Sequence, residues 1–343
     1  MTNLGKETMS YALSVLDKSP VVRGETPTHA LKRTVALAQR AEALGCHRFW
    51  VAEHHNTPDL ASSSPEVLLA HLAARTEHIR IGSGGVMLQH YSAYKVAENF
   101  NLLSALAPGR IDIGIGKAPG GLPLSTRALQ AGRDPARKPD FRAQLAELDA
   151  FLGDDPARRE EGLDATPRPT QHGERHLLGA SVESAALAAE LGWNFVFARH
   201  LNGDDATLSA AISTYRDATG QTPIVALAAV VARSADEARD QANLFTPIRV
   251  HIPGAQSVTV GSEAQAAEYA RQAGVTDYTL ERRQSTVLAG DGHDIVAALD
   301  ALGAQHGIAE FIIDFANAGD SRITAVELVA AARGPALPTA LSA

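Results

Sequence analysis

Residues 79–121 read IRIGSGGVMLQHYSAYKVAENFNLLSALAPGRIDIGIGKAPGG. A short β-branched segment, Ile79–Gly82, is followed by a helical pattern at Tyr91–Leu106 and by an alternating apolar segment at Ile111–Ile115. A Pro-Gly pair separates the helix from the second strand. Both predicted strands end in glycine-rich turns, and parallel α/β folds bind their ligands at such strand ends. This stretch therefore predicts one βαβ unit with a ligand site.

The alternation of strands and helices continues along the whole chain. The predicted strands are Tyr11–Leu16, Arg48–Ala52, Ile79–Gly82, Ile111–Ile115, His176–Leu178, Asn194–Phe197, Ile224–Val231 and Phe311–Phe315. The helical patterns that follow them are Pro27–Leu44, Pro65–Ala74, Tyr91–Leu106, Pro139–Phe151, Val182–Leu191, Asp205–Thr219, Ser234–Leu244 and Ile323–Ala332. This pattern predicts an α/β fold of the TIM (β/α)8 barrel type. An open doubly wound sheet is the alternative, but the first turn lacks a dinucleotide-binding fingerprint.

Two segments are too long to be simple connections in a compact fold. One is Gly153–Glu174. The other, about residues 245–292, is an insertion between the seventh and eighth predicted strands and has its own helical pattern at Ala264–Gln272. A further helix is predicted behind it at His293–Gln305. We interpret residues 1–343 as one barrel domain and expect the second insertion to lie over the strand ends, where it can cover a substrate.

Composition limits the classes of partner. The 343 residues include 31 basic and 39 acidic side chains, for a net charge of −8, and no basic cluster suited to nucleic acid. Cys46 is the single cysteine, which excludes an internal disulfide and a thiolate metal site and favours a cytoplasmic location. The apolar run Ile224–Ala232 is too short to span a bilayer, and the first ten residues lack an apolar signal core, so we expect no membrane association.

Two adjacent histidines end the second predicted strand, in the sequence FWVAEHHN at residues 49–56. Strand ends face the active site of a barrel, so His54 and His55 are candidate catalytic residues, one of them a general base tuned near neutral pH. Alternation places Glu53 and His54 on opposite faces, so only one of the two points straight into the site. A histidine bonded to a loop carbonyl is the alternative. A metal site here lacks a third ligand motif.

Glycine-rich turns follow the third and fourth predicted strands. Ser83, Gly84 and Gly85 offer backbone with almost no side chain, so a flat ring could approach it closely. An ordinary glycine turn is the alternative. Lys117 stands in the next turn, GIGKAPGG, and could hold a phosphate as a point charge. It could equally be a solvated lysine, because the spacing of a phosphate-binding loop, GxxxxGK[ST], is absent.

The fifth predicted strand leads into the start of a helix through the sequence GASVES. Ala180, Ser181, Val182 and Ser184 bring hydroxyls and free backbone N–H groups to the positive end of that helix, which favours phosphate binding. Ser181 acting simply as a helix N-cap is the alternative. The neighbouring strand end carries Lys117, and this conjunction favours the phosphate site.

Other polar residues on the strands are interpreted as structural. Asp112 lies inside an apolar strand and needs a buried partner, for which Arg48 is the candidate. Asp314 on the eighth strand and Glu98 in the third helix are interpreted as members of core pairs. Arg199 and His200, at the end of the sixth strand, add polar groups for which a structural role is at least as well supported as a functional one.

Together these segments resemble the bacterial luciferase-like, flavin-dependent monooxygenases, most closely a subgroup typified by an antibiotic-pathway member. No single motif is specific, but their order and spacing match nearly from end to end, least in the two long insertions. The matching segments are FWVAEHHN, SSSPEVLLAH, RIGSGGVML, VAENFNLLSALAPGRIDIGIGKAPG, LLGASVESAALAAELGWNFVFARH and IAEFIIDFANAGDSRITAVELVA.

The resemblance implies a TIM barrel that binds FMN at its C-terminal face, with the flavin reduced elsewhere by a separate reductase. It implies a base at His54 and a flavin-facing turn at residues 83–85, often with a non-proline cis peptide. It also implies phosphate-binding groups at Lys117, Ser181 and Ser184, and a homodimer. These assignments are expectations that rest on the resemblance.

Four positions depart from the family pattern or match it loosely. Lys117 replaces an arginine, which keeps the charge but loses the bidentate fork. Gly116 stands where bacterial luciferase has a cysteine near the flavin, so light emission is not expected. Tyr91 stands where close relatives usually carry histidine, which changes the substrate side of the pocket. Arg142 matches a second phosphate-binding arginine only loosely.

We interpret the sequence as that of an FMN-dependent monooxygenase that uses externally reduced flavin and O2 to oxygenate a small organic substrate. One alternative is an oxidoreductase on the same fold that transfers hydride with deazaflavin F420. Another is a non-catalytic flavin-binding protein. The sequence does not identify the substrate, because specificity lies in variable loops such as the second insertion.

Overall fold

The structure is a computed structural model that describes residues 11–134, 139–154, 162–244, 247–253, 257–283 and 285–334. Its strands are β1 (Ala12–Asp17), β2 (Arg48–Val51), β3 (Arg80–Ser83), β4 (Val86–Met87), β5 (Ile111–Gly116), β6 (Glu174–Gly179), β7 (Asn194–Ala198), β8 (Ile224–Val231), β9 (Ile248–His251), β10 (Val258–Val260), β11 (Thr279–Arg282), β12 (Leu288–Gly290) and β13 (Glu310–Phe315).

Helices follow most of these strands and form the outer layer. They are α1 (Pro27–Ala43), α2 (Pro65–Ala73), α3 (Ala93–Leu106), α4 (Pro123–Leu129), α5 (Phe141–Leu152), α6 (Val182–Leu191), α7 (Asp205–Thr219), α8 (Ala235–Ala242), α9 (Glu263–Ala273), α10 (Gly292–His306) and α11 (Ser321–Arg333). Within the described ranges, none of these helices is both long and apolar enough to cross a membrane.

Eight parallel strands close into a barrel in the order β1, β2, β3, β5, β6, β7, β8 and β13. Closure comes from β8, which pairs with both β7 and β13, and from β13, which pairs with β1. The predicted TIM barrel is therefore confirmed, and the open doubly wound sheet is excluded.

Side chains of alternate strand residues fill the barrel interior. Leu16, Trp50, Val196, Ala226 and Ile312 form an apolar cluster there, while the other face of each strand packs against the helices in the larger core. Strands that are buried on both faces read as continuous apolar runs, and all eight residues of β8 are buried. The interior is thus a packed core.

One predicted helix starts later than its pattern indicates. The helical pattern begins at Tyr91, whereas α3 begins at Ala93. Leu88–His90 form a 3-10 turn, and the backbone of Tyr91 is extended, with φ −124° and ψ 163°. This extended residue places its phenol within the strand-end network described below, so a tertiary contact overrides the local helical preference.

The predicted insertion between the last two barrel strands is present. It contains a separate antiparallel sheet in the order β10, β9, β11, together with α9. Helix α9 contacts α4, the helix that follows β5, and Gln272 Oε1 accepts a hydrogen bond of 2.9 Å from the Leu124 N–H. Segments that leave two different strand ends therefore meet on the C-terminal side of the barrel. Part of the other long segment, residues 155–161, lies outside the described residues.

A buried ion-pair network crosslinks the N-terminal ends of the strands. The Asp112 carboxylate accepts hydrogen bonds from Arg48 Nη1 at 2.9 Å, Arg80 Nη2 at 2.6 Å and Trp50 Nε1 at 2.8 Å. Arg48 also donates to Glu310 on the first position of β13. The predicted pairing of Asp112 with Arg48 is confirmed. It links β5 to β2, two strands that are distant in the sequence.

The same network explains a cluster that resembles a metal site. Asp112, Glu174 and His176 have potential ligand atoms within 4.8 Å of one another. However, Arg48 and Arg80 already pair with both carboxylates. Burial alone would raise the pKa of Asp112, but the arginines and His176 hold it well below its usual range. The cluster is therefore an ion-pair network that fastens the base of the barrel.

Replacement of Asp112 tests this network. We expect Asp112→Asn to lower the free energy of unfolding by about 3–5 kcal/mol, because it leaves buried arginine charge without its partner. Urea unfolding followed by far-UV circular dichroism measures the loss. The matched control is Asp154→Asn, which removes an exposed carboxylate paired with Arg168, and it should cost less than about 1 kcal/mol. Equal urea midpoints of unfolding for the two variants would contradict the stabilising role of the Asp112 network.

Candidate functional site

The C-terminal ends of the barrel strands carry the residues that the sequence singled out. His54 follows β2, the Gly84-Gly85 turn follows β3, Lys117 follows β5, Ser181 follows β6 and His200 follows β7. Because the strands are parallel and form a closed barrel, all of these positions lie at the same end of the molecule. We call this end of the barrel the mouth.

The turn after β3 is packed tightly against the barrel. Its Gly84–Gly85 peptide bond is cis, as the resemblance implied. A Cβ atom on Gly84 would lie 2.6 Å from Leu16 Cδ1, and one on Gly85 would lie 2.8 Å from the carbonyl oxygen of Gly114. Backbone atoms therefore already exclude a side chain at Gly85, and at Gly84 a side chain would have to displace the end of Leu16. Room for a flat ring, the reason inferred from sequence, is not needed to explain these glycines.

Ser83 has a structural contact at this turn. Its buried hydroxyl donates to the Gly114 carbonyl at 2.8 Å and accepts from the Gly114 N–H at 3.0 Å. The side chain thus closes the gap between β3 and β5. Any contact of Ser83 with a cofactor would have to come from its backbone.

His54 combines burial with an unused ring nitrogen. Its backbone N–H donates to the Ser62 carbonyl at 2.9 Å, while its Nδ1 is buried and has no hydrogen-bond partner among the described residues. Burial, together with the nearby charge of Lys18, lowers the pKa of His54 to about 4. The expected tuning near neutral pH is therefore not observed. At neutral pH the ring is therefore uncharged.

His55 has a different environment from its neighbour. Its Nε2 lies 2.6 Å from Oε1 of Glu53, which is fully buried. The same carboxylate accepts from the Tyr91 hydroxyl at 2.7 Å and from the Met87 N–H at 3.0 Å. Glu53 therefore ties the end of β2 to the segment that follows the Gly84-Gly85 turn. Burial and the Glu53 charge raise the pKa of Tyr91, which keeps its hydroxyl a donor.

The sequence alone did not predict this role of Glu53. Alternation correctly placed Glu53 and His54 on opposite faces, but only the structure shows what each face contacts. A carboxylate flanked by buried strand residues needs hydrogen-bond donors, and this requirement was the available signal. We call Glu53, His55 and Tyr91 the Glu53 network.

The start of α6 has donors suited to an anion. The Ser181 hydroxyl caps the helix by accepting from the Ser184 N–H at 3.3 Å, so the N-cap interpretation is confirmed. The Ser184 hydroxyl lies 3.3 Å from that of Ser181, and both stand with the first backbone N–H groups at a positive helix end. Lys117, on the adjacent strand end, is exposed, with its ammonium 5.9 Å from the centre of the Phe141 ring. These groups fit a phosphate in donor type and charge.

Two residues near α6 qualify that fit. The carboxylate of Glu183 lies in the first turn, and a hydrogen bond from Ser181 lowers its pKa. Because the Glu183 side chain is exposed, its carboxylate can turn toward solvent when an anion binds at this helix end. Arg142, the loosely matched second arginine, pairs instead with Glu190 in the last turn of α6, at the end opposite Ser181.

The structure adds a charged pair that the sequence did not single out as a site. Lys18 directly follows β1, and its Nζ lies 2.5 Å from Oδ2 of Asp314 on β13. His200 Nδ1 lies 3.4 Å from the carbonyl oxygen of Ala226. Burial and the charge of Lys18 lower the pKa of His200, as they do for His54. The interpretation of Asp314 as part of a core pair is confirmed.

The low pKa of His54 predicts an effect on acid stability. In the unfolded chain a histidine protonates near pH 6.5, whereas His54 in the folded protein protonates near pH 4. Between these values the unfolded state binds more protons, so the free energy of unfolding falls as the pH falls. We expect His54→Gln to lose less stability than the native protein between pH 6.5 and pH 4, measured by urea unfolding. His78→Gln, at an exposed position, is the control, and a native-like pH profile for His54→Gln would contradict the prediction.

Comparison with known proteins agrees with this architecture. A family model described as luciferase-like monooxygenase matches residues 10–322. The N-acetyl-S-alkylcysteine monooxygenase of Bacillus subtilis (strain 168) is 45% identical over 310 residues, which cover 88% of this chain and 91% of that protein. The crystal structure of apo-MsnO8 has a TM-score of 0.75 and 30% identity, covering 95% of this chain and 98% of that one.

Two more distant structures share the fold. The oxygenating constituent of 3,6-diketocamphane monooxygenase from Pseudomonas putida, in complex with FMN, has a TM-score of 0.65 at 18% identity and covers 96% of this chain and 99% of that one. An F420-dependent secondary alcohol dehydrogenase with an F420–acetone adduct has a TM-score of 0.65 at 16% identity, covering 95% and 100%. The family match and the 45% identical relative show that this chain belongs to the luciferase-like monooxygenase family.

Proposed function

We propose that this protein is an FMN-dependent monooxygenase that uses externally reduced flavin and O2 to oxygenate a small organic substrate. The observation that carries the proposal is His54. Within the described residues, its buried Nδ1 has no hydrogen-bond partner, and the ring is uncharged at neutral pH. A neutral imidazole with an unpaired nitrogen at the mouth can hydrogen-bond a bound group, and an anion bound beside it would raise its low pKa toward the range that proton transfer requires.

Bound reduced FMN would supply the electrons that activate O2. The chain's own groups would hold and orient it. Lys117 and the start of α6, with Ser181 and Ser184 and the backbone of Ala180 and Val182, would bind the phosphate. The backbone of the Gly84-Gly85 turn would lie along the ring. His54 would exchange a proton at Nδ1, while His55 would act through Glu53 as a positioning residue.

Exclusion of water would come from two sources. Below the mouth, the apolar cluster around Leu16, Trp50 and Ile312 closes the barrel interior. Beside it, α4 and α9 bring together the segments that follow β5 and β8. An apolar floor with a covering insertion protects reactive oxygen chemistry from side reactions with solvent.

The 45% identical relative is an N-acetyl-S-alkylcysteine monooxygenase, which suggests a first substrate class. We propose N-acetylated S-alkylcysteines as compounds to test, with N-acetyl-S-methylcysteine as the simplest probe. The alternative function is hydride transfer with F420, and an F420-dependent alcohol dehydrogenase shares this fold. Supplying reduced FMN with O2 and, separately, reduced F420 without O2, and measuring whether an oxygenated or a hydride-reduced product forms, distinguishes the two.

A separate flavin reductase and a homodimer complete the proposal. The dimer has a candidate surface on α2 and α3, where Val67, Leu102 and Leu106 are exposed. These helices contact each other, so the three apolar side chains lie on neighbouring elements. Sedimentation velocity at micromolar protein concentration tests the homodimer directly.

The phosphate site predicts a preference among flavins. FMN should bind at least about tenfold more tightly than riboflavin, since a charge-assisted contact to phosphate is worth that much. Lys117→Ala should remove most of this preference and leave riboflavin affinity unchanged, as measured by quenching of flavin fluorescence. Lys95→Ala, at an exposed lysine on α3, is the matched control. Equal affinities of the native protein for FMN and riboflavin would refute the site.

A second experiment distinguishes the role of His54 from that of His55. His54→Ala should bind FMN nearly normally, but oxygenation should fall by roughly 10² to 10⁴, the range typical of acid–base groups, with hydrogen peroxide released in place of product. His55→Ala should also weaken FMN binding, because it breaks the Glu53 network. Product, peroxide and FMN affinity are measured for both variants. Normal oxygenation by His54→Ala would show that another residue is the base.

A further inference from the structure

Lys18 lies in the barrel interior, at the level of the mouth. Ser14, Leu16 and Lys18 share one face of β1 and its extension, and Leu16 belongs to the interior cluster. Leu16 also lies directly beneath the Gly84-Gly85 turn. Lys18 is one layer nearer the mouth, and its side chain is 35% exposed, whereas its partner Asp314 is 2% exposed.

The lysine ammonium has unused donors. An ammonium carries three N–H groups, and within the described residues Asp314 is its one ion-pair partner. The Asp314 carboxylate also lies near a second cation, because Arg322 Nη2 is 3.7 Å from its Oδ1. The same nitrogen is 2.6 Å from Asp17 Oδ1. Asp314 therefore has a second cation nearby, and Lys18 is the member of the cluster that can turn a donor outward.

Strand order separates Lys18 from the proposed phosphate site. Around the barrel the sequence of strands is β1, β2, β3, β5, β6, so Ser181 after β6 lies four strands from Lys18, on the opposite side of the eight-stranded barrel. Lys18 is therefore not placed to bind the same phosphate. His54 follows β2, the strand next to β1, and so lies on the Lys18 side of the mouth, whereas His200 follows β7, next to β6.

We propose that Lys18 is a specificity-determining residue that binds a carboxylate of the substrate, opposite the phosphate-binding side of the mouth. This inference rests on the proposed function and deepens it by naming an anionic substrate class. In the empty protein, Asp314 holds the ammonium in place. On binding, the ammonium bridges two carboxylates, that of Asp314 below and that of the ligand above, through N–H groups that are otherwise unused.

A matched pair of probes tests the proposal by binding alone. N-acetyl-S-methylcysteine carries a carboxylate, and its N-methylamide is a neutral analogue of similar shape. Isothermal calorimetry with the FMN-loaded native protein should show the acid binding about tenfold to a hundredfold more tightly than the amide. Lys18→Met should reduce this ratio to near one. Lys95→Met is the control and should retain it.

A second variant separates ligand binding from a purely structural pair. Asp314→Asn removes the anion that competes for the ammonium, so affinity for the acid should rise, by about threefold or more, with the amide unaffected. A pair that is only structural would weaken both ligands in both variants, and this result overturns the proposal. Failure of the acid to bind the native protein, or equal binding of acid and amide, overturns it as well.

The same samples report separately on the proposed function. FMN affinity is measured by fluorescence for native protein, Lys18→Met and Asp314→Asn before either probe is added, and we expect it to be unchanged in both variants. Normal FMN binding with no preference for the acid refutes the role of Lys18 alone. Absence of FMN binding in the native protein refutes the proposed function, on which the role of Lys18 depends.

Discussion

The buried carboxylate of Asp112 organises the barrel from its base. Its contacts with Arg48, Trp50 and Arg80 fasten the starts of β2, β3 and β5 to one another. Breaking such a pair leaves buried charge unpaired, which is far costlier than losing a surface contact. The opposite ends of the same three strands lead to His54, the Gly84-Gly85 turn and Lys117. The arrangement of the mouth thus depends on an ion-pair network at the far end of the barrel.

A second carboxylate, Glu53, performs a comparable task at the mouth. It is fully buried and joins His55, Tyr91 and the backbone of Met87, which are far apart in sequence. Because one face of the strand end is fixed in this way, the adjacent His54 is left on the other face without a competing hydrogen bond. Strand alternation thus places the two neighbouring histidines in different surroundings, with His55 against Glu53 and His54 with an unpaired ring nitrogen among the described residues.

Much of the site could be predicted because the barrel converts sequence order into position. Strand periodicity located the barrel strands, and the C-terminal ends of those strands located His54, Lys117 and Ser181. The reason for the glycines at residues 84 and 85 could not be read in this way. Sequence shows that a side chain is missing, whereas the atoms that fill its place, from Leu16 and Gly114, belong to other strands.

The sequence by itself determined the fold class, the order of strands and helices, and the positions that end each strand, because these depend on local periodicity and turn chemistry. Only the tertiary structure decided the charge state of His54, the partners of Glu53 and the pairing of Lys18 with Asp314. These properties depend on burial and on Coulomb interactions between residues as far apart in the chain as β1 and β13. Closure of the barrel brings those residues together, and no local pattern encodes the resulting distances.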